Sequence, residues 1–202
     1  MKFSKIVLIA TAISMFPTIS LANNRWIPGF PISDSQKGIY QKGRTTAGGS
    51  RFDCVDPLGK KSLELVVPEA KVVHQTANES PSLYVYSEGA AKEPLILTFV
   101  DHDLIEPLVE QPLNLSRKGY HKITLPPNIK LDPDKVYSWY VAIPCSNDRE
   151  TFREVLTSSV EYIPPSAELL QKIQNANSPE EKSQIYADEG MWYDAVNLLN
   201  LD

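Results

Sequence analysis

The chain is poor in the residues that usually carry chemistry: its 202 residues include two cysteines, three histidines and nine glycines. Neither Cys54 nor Cys145 has a second cysteine or a histidine within a few positions, which excludes the spacing of a structural zinc site. There is no Gly-x-Ser-x-Gly elbow, no glycine-rich phosphate loop and no His-Glu-x-x-His, so hydrolase or nucleotide chemistry has no contiguous motif to rest on. No cofactor is expected. Positive charge is also short, with 20 Lys and Arg against 25 Asp and Glu. That balance argues against nucleic acid or anionic lipid as a partner, both of which call for basic patches. Past the N-terminus no apolar run approaches the roughly 18 residues of a bilayer span.

What is present begins with a targeting signal. Lys2 and Lys5 precede an apolar run from Ile6 to Phe16, and Ser20-Leu21-Ala22 fits small-x-small cleavage before Asn23. The alternative is an uncleaved anchor. Removing residues 1–22 takes away two lysines and no acid, so the formal charge moves from −5 to −7. The expected location is the periplasm or the outside of the cell, with no transmembrane segment after cleavage. Two cysteines in an exported chain then suggest one disulfide, Cys54 to Cys145, closing a loop worth about 4 to 5 kcal/mol in chain entropy. Two separate buried thiols are the alternative. Residues 23–50 read as a flexible leader. Gly48-Gly49-Ser50-Arg51 is a solvated linker or an anion nest, and Trp26, Ile27 and Phe30 are expected to dock on the folded domain or on a partner.

Residues 51–163 read as strands. The strongest signal is Leu131 to Cys145, where Leu131, Pro133 and Tyr137 resemble the tyrosine corner of immunoglobulin-like sandwiches. Tyr137, Trp139, Val141 and Ile143 alternate with smaller or more polar residues, a period of two that marks a strand with the bulky set inward. Shorter alternations occur at Leu63–Val67, Leu83–Tyr86 and Ile123–Leu125, with a continuous apolar run at Pro94–Val100. A final strand, Phe152–Tyr162, returns beside Tyr137 through the turn at 146–149. Glu106–Leu115 contains prolines and is expected as edge strand or loop. The fold class expected is mostly β, an immunoglobulin-like antiparallel β-sandwich of about seven strands.

Residues 164–202 switch to helical spacing and form a tail of three short helices expected to pack on the sandwich. Ser166 starts the first, with Leu169, Leu170 and Ile173 on one face; Ser178, Pro179 and Glu181 have the form of a capping box for the second; Gly190 separates it from a third carrying Trp192 and Val196. The YADEGMWYDAVNLL stretch is similar to the junction of a tetratricopeptide-type helix pair. The helices either cover the end of the sandwich or offer Trp192 and Tyr193 to a helical-repeat protein.

Taken together, Gly48 to Cys54, Leu65 to Glu69, Pro81 to Tyr86, Ile123 to Pro126, Leu131 to Cys145 and Tyr186 to Leu199 resemble the secreted cyanobacterial family termed domain of unknown function 928. The resemblance covers nearly all of the chain after the signal. It implies an envelope or extracellular location in a cyanobacterium and brings no catalytic residues.

Two function classes follow. Asp101-His102-Asp103 is the one local cluster with acid/base or metal-ligand character, although neighbours in a strand point to opposite faces and converge only in a turn. It is the candidate site of a hydrolase or other enzyme. The expectation we favour is a non-catalytic binding or scaffolding module whose partner surface uses Tyr84, Tyr86, Tyr140, Trp192 and Tyr193, with a protein or an envelope carbohydrate as ligand. Cys54, Cys145, Leu131, Tyr137 and Trp139 are structural in this reading.

Overall fold

A computed structural model describes residues 54–59, 61–68, 72–199 and 201, together with 19–20 and 26–27. The cleavage point, most of the leader and the Gly48-Gly49-Ser50-Arg51 stretch lie outside the described residues. Ile19–Ser20 and Trp26–Ile27 form a separate two-residue antiparallel ladder.

The remaining strands are β1 (Leu63–Leu65), β2 (Val73–Thr76), β3 (Ser82–Ser87), β4 (Leu95–Asp101), β5 (Val109–Leu113), β6 (Gly119–Thr124), β7 (Val136–Cys145) and β8 (Asp148–Tyr162). Three helices follow: α1 (Ala167–Asn175), α2 (Pro179–Asp188) and α3 (Trp192–Asn197). The strands divide into a three-stranded sheet, β1-β3-β6, and a five-stranded sheet, β2-β8-β7-β4-β5. The expected mostly-β class with three short C-terminal helices is borne out, with eight strands in these two sheets rather than about seven. The strand not foreseen is β2, which pairs in parallel with the end of β8.

The alternation in β7 sets its orientation. Tyr137, Trp139, Val141 and Ile143 are fully buried, alongside Leu95, Leu97 and Phe99 of β4 and Leu83, Val85 and Ile123 of the smaller sheet. One apolar cluster therefore draws on both sheets, and each large side chain removed from water contributes on the order of 2 kcal/mol. The Phe99 and Tyr137 rings stack with centroids 5.7 Å apart. Before β7 the chain turns through Asp134, which takes a left-handed φ of 58° and donates its N–H to the Tyr162 carbonyl. The Tyr137 hydroxyl accepts the Asp132 N–H at 3.0 Å, which ties the strand to the turn that feeds it. Val109–Leu113 lies at the border of the five-stranded sheet, the position where a strand containing Pro112 is tolerated.

The turn between β7 and β8 has two residues between the paired Cys145 and Asp148. Cys54 is bonded to Cys145, and Ser146 donates to the Val55 carbonyl at 2.7 Å. The disulfide thus fastens the segment entering the domain to the tip of this hairpin, rather than joining one strand of each sheet. In the tail, Ser166 and Ser178 cap α1 and α2 by accepting N–H groups three residues on. The Glu181 carboxylate closes the second cap on Asn177 N–H at 2.7 Å, one residue before the expected Ser178. Gly190 takes φ 84°, which lets the chain reverse into α3. Of the apolar face expected on α1, Leu169 is buried while Leu170 is exposed.

Candidate functional site

Three of the five residues expected on a partner surface are inside the molecule. Trp192 and Tyr193 lie on α3, which packs on β2 and β3, and both are buried. Trp192 Nε1 donates to the Val66 carbonyl at 3.0 Å. The Tyr193 hydroxyl accepts from Trp139 Nε1 at 3.0 Å and donates to the Ser159 carbonyl at 3.1 Å. Burial pushes that phenol up to about 12, so it stays a neutral donor at any physiological pH. Tyr84 has outward strand parity, yet it is buried because its hydroxyl donates to Asn197 Oδ1 at 2.9 Å, which also accepts from Lys122. Its neighbour Tyr86 is half-buried against the Tyr120 ring. The tail therefore docks on its own chain and uses these aromatics itself.

Asp194 completes that junction. Its carboxylate accepts from Ala77 N–H at 2.7 Å and from the Thr76 hydroxyl at 2.9 Å. Burial pushes the carboxyl up to about 6, against the lowering effect of the two hydrogen bonds. Sequence reasoning missed Asp194 and Asn197, since nothing local marks a helix residue whose partner lies more than a hundred positions away.

The Asp101-His102-Asp103 cluster is split between the two sides of the five-stranded sheet. Asp101 is on the core side, buried, with Lys135 Nζ at 2.6 Å from its Oδ2 and at 3.0 Å from Asp103 Oδ2. The Lys135 hydrogen bond holds the Asp101 carboxyl below the usual carboxylate range, and the two carboxylates raise Lys135 in return. His102 turns the other way, and its Nε2 lies 2.8 Å from Ser138 Oγ, which is 3.2 Å from Ser159 Oγ. A His–Ser contact of that length is what an activated serine needs. Here the remaining requirements are unmet: Ser138 is fully buried in the middle of a paired strand, and both neighbouring carboxylates are committed to Lys135. Neither Lys135 nor Ser138 had been singled out from the sequence. Among the described residues, no group of three His, Cys, Asp or Glu side chains is gathered as a metal site.

On the outer side of the same sheet, Tyr140 is half-buried and paired in register with Thr98 on β4 and Thr157 on β8. Ala142 follows it, between Ile96 and Val155. The α3 residue Tyr193 meets β7 on the core side, at Trp139, whereas on the outer face Tyr140 stands between the hydroxyl side chains of Thr98 and Thr157 in register.

A family model, Domain of Unknown Function (DUF928), matches residues 46–201. The chain belongs to the DUF928 family. The DUF928 match takes in both sheets, the disulfide and all three helices, and it begins after most of the leader. No curated protein and no solved structure matches the chain.

Proposed function

We propose that this DUF928 chain is an exported, non-catalytic binding module that meets its partner through the outer face of the five-stranded sheet. Export is supported by the signal-like N-terminus and by a disulfide, which persists in oxidising compartments. An immunoglobulin-like sandwich is supported by the split of strands. A three-stranded sheet β1-β3-β6 faces one in which β4, β7 and β8 are adjacent, with a tyrosine tied back to the turn before β7. The observation that carries the functional reading is Tyr140. Of the five aromatics with partner potential, it is the one on the outer face of the five-stranded sheet, and an aromatic ring flanked by two threonines suits both a protein hot spot and a sugar ring.

The partner we favour is an envelope protein, with envelope carbohydrate as the second outcome. The test is capture by the immobilised domain, from an envelope extract and on isolated envelope polysaccharide, using wild type and Tyr140→Arg. Capture should fall about tenfold or more in the variant while its melting temperature is kept. Undiminished capture by a folded Tyr140→Arg protein would sink the reading. The enzyme alternative rests on the His102–Ser138 contact. Covalent labelling of Ser138 by a fluorophosphonate probe, abolished in His102→Ala, would establish it instead.

A further inference from the structure

We propose that the turn between β4 and β5 docks, through Leu104 and Ile105, into an apolar pocket rimmed by Lys or Arg on another protein. This surface lies beyond the Tyr140 reading and does not depend on it. Among the described residues the exposed large apolar side chains are Val55, Leu104, Ile105 and Leu170, and only Leu104 and Ile105 are neighbours. Ile105 stands wholly in water. A single apolar side chain on a surface needs no explanation, whereas two at the tip of one turn forgo burial together. The turn is also fixed at both ends. At its start the Asp101 carbonyl accepts the Leu104 N–H at 3.1 Å, and Asp101 Oδ1 accepts the Asp103 N–H at 2.9 Å. Lys135, from the turn before β7, ties Asp101 to Asp103 through its Nζ. At its end Leu108 and Val109 pack into the core.

A held turn loses little freedom on binding, so apolar contact made by its tip goes further toward affinity than the same contact on a loose loop. That gives the network of Asp101, Lys135 and Asp103 a purpose, which is to present the tip. The charge around the tip selects the partner. Glu106 follows Ile105 directly, Glu110 is the second residue of β5, and both are exposed. Together with Asp101 and Asp103 against Lys135 they leave the turn and its neighbours a formal −3. An acidic rim attracts cations on its partner and repels anionic lipid headgroups. It also opposes a second copy, since this chain carries a formal −5 of its own. A protein pocket with an apolar floor and a cationic rim is the complement that fits.

The experiment uses the exported form, residues 23–202 with its disulfide intact. The probe is a phage-displayed library of random peptides, selected on this protein and counter-selected on Leu104→Ser/Ile105→Ser. Both side chains are exposed, so the double variant keeps the fold, read as an unchanged melting temperature. We expect peptides that join apolar residues to Lys or Arg and bind the wild type about tenfold or more tighter than the double variant. Their binding should weaken by a similar factor on Glu106→Lys/Glu110→Lys and persist on a folded Tyr140→Arg protein. A library that yields no peptide with the first preference overturns the proposal, and so do selected peptides indifferent to the charge reversal. Two further results assign the tip to another occupant and overturn it as well. One is flotation with phosphatidylglycerol vesicles that the double variant abolishes; the other is a dimer in sedimentation velocity that the double variant dissolves. Loss of peptide binding in a folded Tyr140→Arg protein merges the tip with the sheet face and overturns the separate site. Peptide binding that persists while capture does not depend on Tyr140 keeps the tip and removes the sheet face.

Discussion

Single hydrogen bonds in this molecule sit where the backbone is least able to replace them. The Tyr137 hydroxyl serves the Asp132 N–H at the entry to the central strand, and burial raises the phenol so that it remains protonated. Tyr137→Phe keeps the ring stacked on Phe99 and loses that acceptor. The expected cost is about 1 to 2 kcal/mol in urea unfolding, with an unchanged dependence on denaturant. Asp194 has the opposite character, a charge that folding disfavours. Its folded value of about 6 lies above its unfolded one, so its contribution is most favourable in acid and is lost as pH rises from about 4 to about 6. Asp194→Asn keeps an oxygen for Thr76 and Ala77 and removes the charge. We expect it to flatten stability across that interval and to stabilise the protein at pH 7 by on the order of 1 to 2 kcal/mol, discounted for the residue's partial exposure. A melting temperature at pH 7 no higher than that of wild type would refute this account. Asp101 works in reverse, since Lys135 holds its carboxyl low; that stabilisation is present above the ordinary carboxylate range and lost as pH falls below it.

At the scale of elements, α3 is the piece that finishes the core. Its Trp192 and Tyr193 bond to Val66, Trp139 and Ser159, which belong to both sheets or their ends. Trp192→Ala is therefore expected to cost about 3 to 5 kcal/mol, read by thermal melting, with new exposure of the Trp139 indole to quencher. The pattern of what was legible follows from the same contacts. β7 could be read because Tyr137 to Ile143 alternate over four cycles against one buried face. The helix caps at Ser166 and Ser178 could be read because their partners lie three residues away. β2 could not, since Val73, His74 and Thr76 are all buried and so leave no alternation, and its parallel partner is some 85 positions distant. Tyr84 was assigned outward from strand parity alone. What parity cannot carry is Asn197 arriving from the far end of the chain to cover it. The same limit applies to the candidate site, where Asp101 and His102 were visible as a cluster but Lys135 and Ser138, which decide what each does, were not.

For the molecule as a whole, the disulfide and the tail enclose nearly everything between them. Cys54 and Cys145 are 91 positions apart, so Cys145→Ser frees a long loop in the unfolded chain. The expected loss is about 4 kcal/mol, seen as a lower melting temperature in the oxidised protein and matched by reduction of the wild type. Equal melting temperatures with and without reductant would show that the bridge does not stabilise the fold. The placement of Trp192 and Tyr193 bears on biogenesis. Trp192 and Tyr193 come after all eight strands of the two sheets in chain order, so the apolar cluster they close is finished only once α3 has been made and has folded back. A polypeptide stopped between β8 and α3 keeps the strands of both sheets and lacks that seal, which makes it a product for proteases rather than a smaller working protein.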